Sequence, residues 1–235
     1  MKYNEAMNLS GTIVRQFEPF KELDKADLEA IAALMRVKYV KKGQYIISTC
    51  SENSDVYFLV SGRVRVCFFT QNGKQVHFDE LVPGSMFGEL AAIDNRGRSS
   101  DCISLVDCQV AILPQDDFNA LVVQHTSVLE SVLNRLTAMI RSNMRRVYEF
   151  AAYPVPQRVR FELLRLASEG SQSDSDGTIR IDNLPTHAEI ASRISTHREA
   201  VNRELNSLIA QGVISSSQSS IFIHDVVALS DTQTD

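Results

Sequence analysis

The sequence predicts an α+β protein built from an N-terminal jelly roll, a long helix and a C-terminal winged helix-turn-helix. Three patterns support this prediction. Short apolar runs separated by turn signals occupy residues 39–113, a helical pattern covers residues 126–152, and two short helical patterns joined by a tight turn precede two final strands. The predicted domains are 1–123 for the jelly roll, 124–153 for the long helix and 154–235 for the winged helix-turn-helix.

The composition is that of an ordinary globular protein, with 235 residues, 44% of them hydrophobic and 23% charged, and no tryptophan. A chain of this length buries enough surface to need neither disulfides nor a structural metal. No apolar run approaches the roughly 20 residues of a membrane span, and the polar start lacks the regions of a signal peptide. We therefore expect a cytoplasmic protein without a membrane partner. The cysteines have no zinc or iron-sulfur spacing, so we expect them to be reduced and structural: Cys50, Cys67, Cys102 and Cys108.

A first helix is predicted from Lys25 to Val37, before the strands begin. Its apolar residues recur on one face, and Asp24 is placed to cap its N-terminus. The apolar positions of this face are Leu28, Ile31, Leu34 and Met35.

Five apolar runs predict strands of the jelly roll: QYII, VYFLV, RVRVCFF, QVHFDEL and QVAIL. Turn signals separate these runs at Lys42-Gly43, Ser61-Gly62, Gln71–Lys74 and Pro83-Gly84. Within the third signal, Asn72-Gly73 is the strongest single hairpin turn. Short strands at this regular spacing are typical of an antiparallel barrel or jelly roll.

The helix predicted over residues 126–152 carries an apolar seam with the alternating steps of 4 and 3 that coiled coils use. This seam predicts a homodimer packed along the helix. The alternative is a helix that packs on its own jelly roll. Asn143 is the sole polar residue of the seam, so it either fixes the dimer register or contacts a ligand, and these roles are compatible. The seam residues are Leu129, Leu133, Leu136, Ile140, Asn143, Val147 and Phe150.

The last third of the sequence reads as a separate small domain. A helix over residues 158–167 and a polar stretch from Ser168 to Gly177 precede a short strand, TIRI. Two helices, THAEIASRI and THREAVNRELNSLIAQG, are then joined near Ser195 and Thr196 and followed by the strands GVISS and SIFIH. The apolar spacing of the second helix leaves one polar row facing solvent, with side chains that suit base reading: His197, Arg198, Glu199, Asn202 and Arg203.

The segment FGELAAIDNRGRSS, residues 87–100, combines groups that suit a phosphorylated ribose. Gly88 permits a tight backbone at the start of a helical turn, and Glu89 can accept hydrogen bonds from ribose hydroxyls. Arg98 offers a bidentate cation to phosphate oxygens, and Ser99 and Ser100 add hydroxyl donors. Taken alone, these residues could also form a surface turn with an ion pair.

The complete segment closely resembles the phosphate-binding cassette of cyclic-nucleotide-binding domains, FGE(L/I)A followed by R(S/T)(A/S). From about residue 17 to residue 229 the chain also resembles the cyclic-AMP receptor protein family of bacterial regulators. The resemblance implies that Gly88 and Glu89 hold the ribose and that Arg98 and Ser99 hold the cyclic phosphate. It implies no catalytic step and no catalytic cofactor. The remaining cassette residues implied to line the pocket are Phe87, Leu90, Ala91 and Ser100.

The family alignment places Asn143 and Met144 where the family has adjacent hydroxyl residues that contact adenine. An amide can pair with adenine or guanine edges, so the expected effector is cyclic AMP, with cyclic GMP as a second candidate. The segment ISTHREAVNREL resembles the family's recognition helix and matches its three base-reading positions at Arg198, Glu199 and Arg203, with Ala200 where the family often has Thr. The remaining residues that we assign to DNA are Thr196, His197 and Asn202.

These features predict a homodimeric transcription regulator, not an enzyme, with palindromic double-stranded DNA and RNA polymerase as partners. Residues 135–165 hold seven arginines and two acidic residues, so we expect local attraction of DNA along the long helix and the segment after it. One alternative is a regulator of the same fold that senses haem, an iron-sulfur cluster or another metabolite. A second alternative is a jelly-roll metal enzyme, which would need several metal-ligating side chains in the barrel. His77 is the only histidine in that part of the sequence, so the sequence does not favour this alternative. The other histidines are His125, His187, His197 and His224.

Overall fold

The computed structural model describes residues 9–71, 73, 75–170, 172–173, 178–182, 184–217 and 220–230. The chain divides into two compact units, Met1–Ile140 and Arg141–Asp235. In the described part of the chain, no helix is both long enough and apolar enough to cross a bilayer.

The first unit contains short helices around two antiparallel sheets. Its helices are α1 (Gly11–Val14), a 3-10 turn (Glu18–Phe20), α2 (Lys25–Leu34), α3 (Glu89–Asp94), α4 (Gln115–Gln124) and the first part of α5 (Thr126–Ala152). Its strands are β1 (Arg36–Val40), β2 (Tyr45–Ile47), β3 (Val56–Ser61), β4 (Val64–Phe69), β5 (Gln75–Leu81), β6 (Met86–Phe87), β7 (Asp101–Ser104) and β8 (Cys108–Leu113).

The two sheets have four strands each, in the orders β1-β8-β3-β6 and β2-β7-β4-β5, and all their pairings are antiparallel. The predicted jelly roll is therefore confirmed. Each of the five predicted runs contains a strand, whereas β1, β6 and β7 were not predicted. One reason is length, because β6 has only two residues. The core between the strands is built from apolar side chains such as Val40, Leu59, Val64, Leu81 and Val110.

The predicted first helix is too long at its C-terminal end. Asp24 caps α2 as expected, because its side chain accepts a hydrogen bond from the Asp27 amide at 2.9 Å. The helix ends at Leu34, however, and residues 36–40 form β1, which pairs with β8. Leu34 is 41% exposed and does not belong to the buried face. Pairing with a strand more than 70 residues away overrides the local helical pattern.

The strongest predicted hairpin turn lies between β4 and β5, which pair antiparallel with Phe69 opposite Gln75. Gly73 has a φ angle of +75°, which glycine adopts without strain. Asn72 lies outside the described residues, so its part in the turn stays a prediction.

Helix α5 spans Thr126–Ala152, as predicted, and carries two apolar stripes. Val128 and Val132 are buried in the core of the first unit, and Leu136 packs against the same core. The other seam residues are exposed in the single chain, at 38% for Leu129 and 52% for Leu133. One stripe of α5 therefore packs on the jelly roll of its own chain, as the alternative prediction holds. The second stripe is exposed and can be covered by another partner.

The second unit begins within α5 and continues with a helix-turn-helix and a small sheet. Its further elements are α6 (Val155–Gly170), β9 (Gln172–Ser173), β10 (Ile179–Ile181), α7 (His187–Arg193), α8 (Arg198–Ala210), β11 (Ile214–Ser217), β12 (Ser220–Ile223) and α9 (Val226–Ser230). The sheet order is β11-β12-β10-β9. The predicted winged helix-turn-helix is therefore confirmed.

Helix α6 is longer than the predicted 158–167 at both ends. Pro156 lies in the first turn, where its missing N–H disturbs no helical hydrogen bond. At the other end, the Ser168 hydroxyl donates to the carbonyl of Arg165 at 2.8 Å. The polar stretch that we predicted as a loop is thus partly helical. Residues 172–173 of this stretch form β9, and Ser171 and residues 174–177 lie outside the described residues.

The turn between α7 and α8 contains Ser195 in the left-handed conformation, with a φ angle of +55°. Helix α7 starts with a capping box, in which the Thr186 side chain accepts from the Glu189 amide and the Glu189 carboxylate accepts from the Thr186 amide. Ile190, Ile194, Val201 and Leu208 are buried between the helices and the sheet. These contacts fix the angle at which α8 is presented.

Candidate effector pocket and DNA-recognition helix

The cassette begins where β6 meets α3. Phe87 is buried and its ring lies 5.5 Å from the ring of Tyr57 in a stacked arrangement. Gly88 caps α3 with a φ angle of +82°. A Cβ at this position would lie 2.8 Å from Nη1 of Arg98 and 2.9 Å from Cδ1 of Ile47. Both the backbone conformation and the lack of space therefore require glycine here.

Glu89, the first residue of α3, is only 4% exposed. Its Oε1 lies 3.5 Å from Nε of Arg135, which extends from α5. This ion pair offsets the charge of the buried carboxylate and leaves it able to accept hydrogen bonds from hydroxyl groups. Sequence reasoning missed Arg135, because one arginine on an amphipathic helix carries no signal of a partner 46 positions away.

Arg98 is 6% exposed and is held by three neutral acceptors. It donates to the carbonyl oxygens of Gly88 at 2.9 Å and Asp55 at 2.8 Å, and to Oδ1 of Asn53 at 2.5 Å. Its guanidinium carbon lies 5.6 Å from the centre of the Tyr57 ring. Its Nε is buried and has no hydrogen-bond partner among the residues that the structure describes.

No carboxylate of the described chain forms an ion pair with Arg98. The Asp55 carboxylate, whose backbone carbonyl binds Arg98, is paired instead with Arg36 at 3.2 Å, and Glu89 is paired with Arg135. Burial lowers the pKa of Arg98, against the opposing effects of Tyr57 and Asp55. Arg98 is thus a buried cation without a counter-ion in the described part of the protein, an arrangement that favours an anionic ligand.

Helix α3 is held in place by α4, because the carbonyl of Ala92 accepts hydrogen bonds from the side chains of Gln115 and Asn119. This anchoring fixes the cassette, in which Ala91 is buried, Leu90 and Ser100 are half-buried and Ser99 is exposed. The structure brings Phe87, Gly88 and Arg98 into direct contact with each other or with Tyr57. The ligand contacts of Leu90, Ala91, Ser99 and Ser100 stay predictions.

Asn143 and Met144 lie on α5 in the second unit and are both exposed, Met144 at 67%. Their predicted contact with the base of a ligand is not tested by the geometry of either unit. In the first unit, no group of three or more His, Cys, Asp or Glu side chains among the described residues is arranged to hold a metal ion.

Helix α8 presents a polar face opposite its buried one. Val201, Leu205 and Leu208 are buried, while the predicted DNA-reading side chains of the first turns are exposed. Thr196 differs from the other predicted positions, because it is only 9% exposed and its amide donates to the carbonyl of Ala191 at 2.9 Å. The exposed predicted residues are His197, Arg198, Glu199, Asn202 and Arg203.

Three arginines of the predicted basic segment lie on α6 and have partners within the second unit. Arg158 donates to the carbonyl of Ile194 at 2.9 Å, and Arg160 pairs with Glu204 at 2.8 Å. Arg165 binds Glu149 and Glu162, at 2.8 and 2.9 Å. Arg160 and Arg165 are therefore balanced by carboxylates of the second unit, whereas Arg158 is bound by a neutral carbonyl, so the attraction of DNA to this segment stays a prediction. The sequence gives the number of charged residues but does not show which of them form ion pairs with each other.

Comparison with known proteins agrees with both halves of the chain. Residues 37–125 match the family model of the cyclic nucleotide-binding domain, and residues 157–232 match that of the Crp-like helix-turn-helix domain. The chain belongs to the cyclic-AMP receptor protein family. It is therefore a DNA-binding transcription regulator with an effector-binding domain, and this family consists of regulators rather than enzymes.

Relatives in this family match over most of their length. The CRP-like cAMP-activated global transcriptional regulator of Mycobacterium tuberculosis is 22% identical, over 88% of this chain and 92% of its own. The cAMP-activated global transcriptional regulator Vfr of Pseudomonas aeruginosa is 28% identical, over 83% of this chain and 89% of its own.

Solved structures of family members share the fold at low identity. A CooA mutant from Carboxydothermus hydrogenoformans has a TM-score of 0.78 at 17% identity and covers 96% of both chains. The c-di-GMP responsive global regulator CLP of Xanthomonas campestris has a TM-score of 0.72 at 16% identity, over 86% of this chain and 100% of its own. At such identities the likeness shows the fold and leaves the effector to be argued from the pocket.

Proposed function

We propose that this regulator is a homodimer whose jelly roll binds a 3',5'-cyclic nucleotide and that the bound nucleotide shifts the dimer to its DNA-binding state. The effector is cyclic AMP, with cyclic GMP as the second candidate. The observation that carries this proposal is the buried Arg98, which neutral groups hold without balancing its charge.

The pocket presents a cation and a hydrogen-bond acceptor, so a ligand that fits it carries an anionic group and a hydroxyl group. Arg98 requires an anion, since a buried charge without a counter-ion is costly. Glu89, one residue from the Gly88 carbonyl that binds Arg98, accepts hydrogen bonds from hydroxyl groups. A cyclic nucleotide carries a singly charged phosphate fused to a ribose with a free hydroxyl, so it supplies both groups at adjacent positions. Ser99 would add a hydroxyl donor to the phosphate.

The exposed stripe of α5 supports the dimer. Leu129, Leu133, Ile140 and Val147 are between 38% and 66% exposed in the single chain, and their spacing is that of a coiled-coil seam. A second copy of α5 would cover this stripe. Asn143 lies in the same row, where it would fix the register and contact the base of the nucleotide together with Met144.

The exposed face of α8 supports sequence-specific DNA binding. Arg198 and Arg203 can each donate two hydrogen bonds to guanine, and Glu199 can accept one from cytosine. We assign supporting contacts to His197 and Asn202, and Thr196 starts this segment. A two-fold dimer would place two such helices about 34 Å apart, so the operator is an inverted repeat. The regulator acts in the cytoplasm, with RNA polymerase as a further partner.

The proposed function is tested by calorimetric titration of the purified protein with cyclic AMP and cyclic GMP, followed by DNA binding with and without each nucleotide. We expect micromolar binding of at least one nucleotide and a nucleotide-dependent rise in DNA affinity. If neither nucleotide binds at millimolar concentration, the effector belongs to another class, such as haem or a different metabolite, and the proposal fails.

A further inference from the structure

Asn53 lies outside the cassette, in the loop between β2 and β3, and contacts Arg98. Its Oδ1 accepts from Nη2 of Arg98 at 2.5 Å, and the Tyr57 hydroxyl lies 3.5 Å from the same oxygen. Asn53 is itself exposed, so it stands at the rim while its amide reaches a buried guanidinium. No motif in the sequence drew attention to this residue.

Among the groups that hold Arg98, Asn53 is the one whose charge the sequence can change. The other two acceptors, the carbonyls of Gly88 and Asp55, belong to the backbone and are present whatever the side chain. An aspartate at position 53 would have the same shape and accept the same hydrogen bond. It would also add a negative charge beside the guanidinium and so supply the missing counter-ion.

We propose that Asn53 is a positioning residue for the effector, one that fixes the orientation of Arg98 through a neutral oxygen and so leaves its charge for the phosphate. This inference rests on the proposed function, since it assigns the anion at Arg98 to the effector. It makes the pocket selective for anions through a residue outside the cassette.

Asn53→Asp separates this role from a purely structural one. A structural tether survives the substitution, because the carboxylate accepts the same hydrogen bond from Arg98. A positioning role predicts that the added charge competes with the phosphate and weakens cyclic AMP binding about tenfold. We expect no larger loss, because position 53 is exposed and solvent screens the added charge. The unliganded variant should melt at the same temperature as the wild type or higher.

Two further variants complete the test. Asn53→Ala removes the acceptor without adding charge, so we expect a lower melting temperature and a loss of affinity of a few fold. Asn206→Asp is the matched control. It makes the same change at an exposed position of α8 in the second unit, outside the residues that we assign to the effector, and should leave cyclic AMP affinity unchanged.

The measurements are calorimetric titration with cyclic AMP and thermal unfolding without ligand. Unchanged affinity of Asn53→Asp while the wild type binds cyclic AMP would overturn the role of Asn53 and leave the proposed function intact. Failure of the wild type to bind either cyclic AMP or cyclic GMP would overturn the proposed function. The melting temperatures test the contact with Arg98 without any ligand, and an Asn53→Asp variant less stable than Asn53→Ala would contradict it.

Discussion

Arg98 in the first unit and Arg165 in the second are both removed from solvent, but their surroundings differ in charge. Arg98 is 6% exposed and donates to two backbone carbonyls and one amide. The Arg165 side chain is 25% exposed and pairs with two carboxylates, Glu149 at 2.8 Å and Glu162 at 2.9 Å. The more deeply buried cation is therefore the one without a counter-ion in the described chain.

The pKa shifts follow this difference. Burial lowers the pKa of Arg98, and the neighbouring groups offset this only in part. Burial also acts to lower the pKa of Arg165, but the carboxylates of Glu162 and Glu149 outweigh it and raise the pKa. A buried arginine that its own chain balances is complete as a structural element. A buried arginine that its chain leaves unbalanced marks a place for a ligand.

The largest effect is expected from breaking the balanced site. Glu162 is 1% exposed and also pairs with Arg193 at 3.2 Å, so charges of alternating sign connect α5, α6 and α7. Arg165→Met should lower the free energy of unfolding by about 3–5 kcal/mol, because it takes the ion-pair partner of the buried Glu149 away and leaves Glu162 with Arg193 alone. Urea unfolding measures this loss. Unchanged stability would show that the network is not a structural element.

Arg98→Ala should have the opposite profile, with a large loss of binding and a small loss of stability. The phosphate would lose its cationic partner, so cyclic-nucleotide affinity should fall about 100-fold or more. Calorimetric titration measures the affinity, and circular dichroism confirms the fold. Arg15→Ala is the control, because Arg15 is an exposed arginine of the first unit whose guanidinium donates to the carbonyl of Lys21, outside the cassette. A variant that binds nucleotide like the wild type would show that the pocket is wrongly placed.

Arg198 is a third case, an exposed arginine on α8 whose partner we assign to DNA. Arg198→Ala should cost roughly 1–3 kcal/mol per half-site and relax the preference at one base pair of the half-site. Binding-site selection with and without nucleotide, for wild type and variant, measures both effects. An asymmetric selected site, or the same base preference in the variant, would remove this assignment.

The smallest effect is expected at Asn143, an exposed polar residue in the apolar seam of α5. Asn143→Leu should weaken the nucleotide response several-fold and leave dimerisation unchanged or stronger, since leucine suits a seam position better than an amide. Sedimentation and nucleotide titration measure the two properties. A monomeric variant with normal nucleotide affinity would contradict the proposed contact between Asn143 and the base.

Local patterns in the sequence predicted most of the fold. The bounds of α5, five of the eight strands of the jelly roll, the two helices of the helix-turn-helix and the position of the cassette depend on periodicity and on residues close in sequence. What failed depends on distant contacts. Val37 continues a helical pattern, yet it lies in β1 because β8 pairs with it.

The site was predictable to the same extent. Gly88, Glu89 and Arg98 belong to one short segment and could be found there. Asn53 lies 45 positions before its partner Arg98, and Arg135 lies 46 positions after its partner Glu89. Neither residue type is unusual at its position in the sequence. Their roles follow from burial and charge, which become visible only when the partners are known.

The turn between α7 and α8 has a consequence for how reproducibly α8 is presented to DNA. Ser195 adopts a left-handed conformation that costs a residue with a Cβ about 1–2 kcal/mol. Glycine would remove that strain, but it would also widen the range of conformations open to the unfolded chain, so the two effects largely cancel in stability. Serine narrows the range of turn geometries near the native one. Ser195→Gly should therefore leave the melting temperature almost unchanged and broaden the distribution of angles between the two helices.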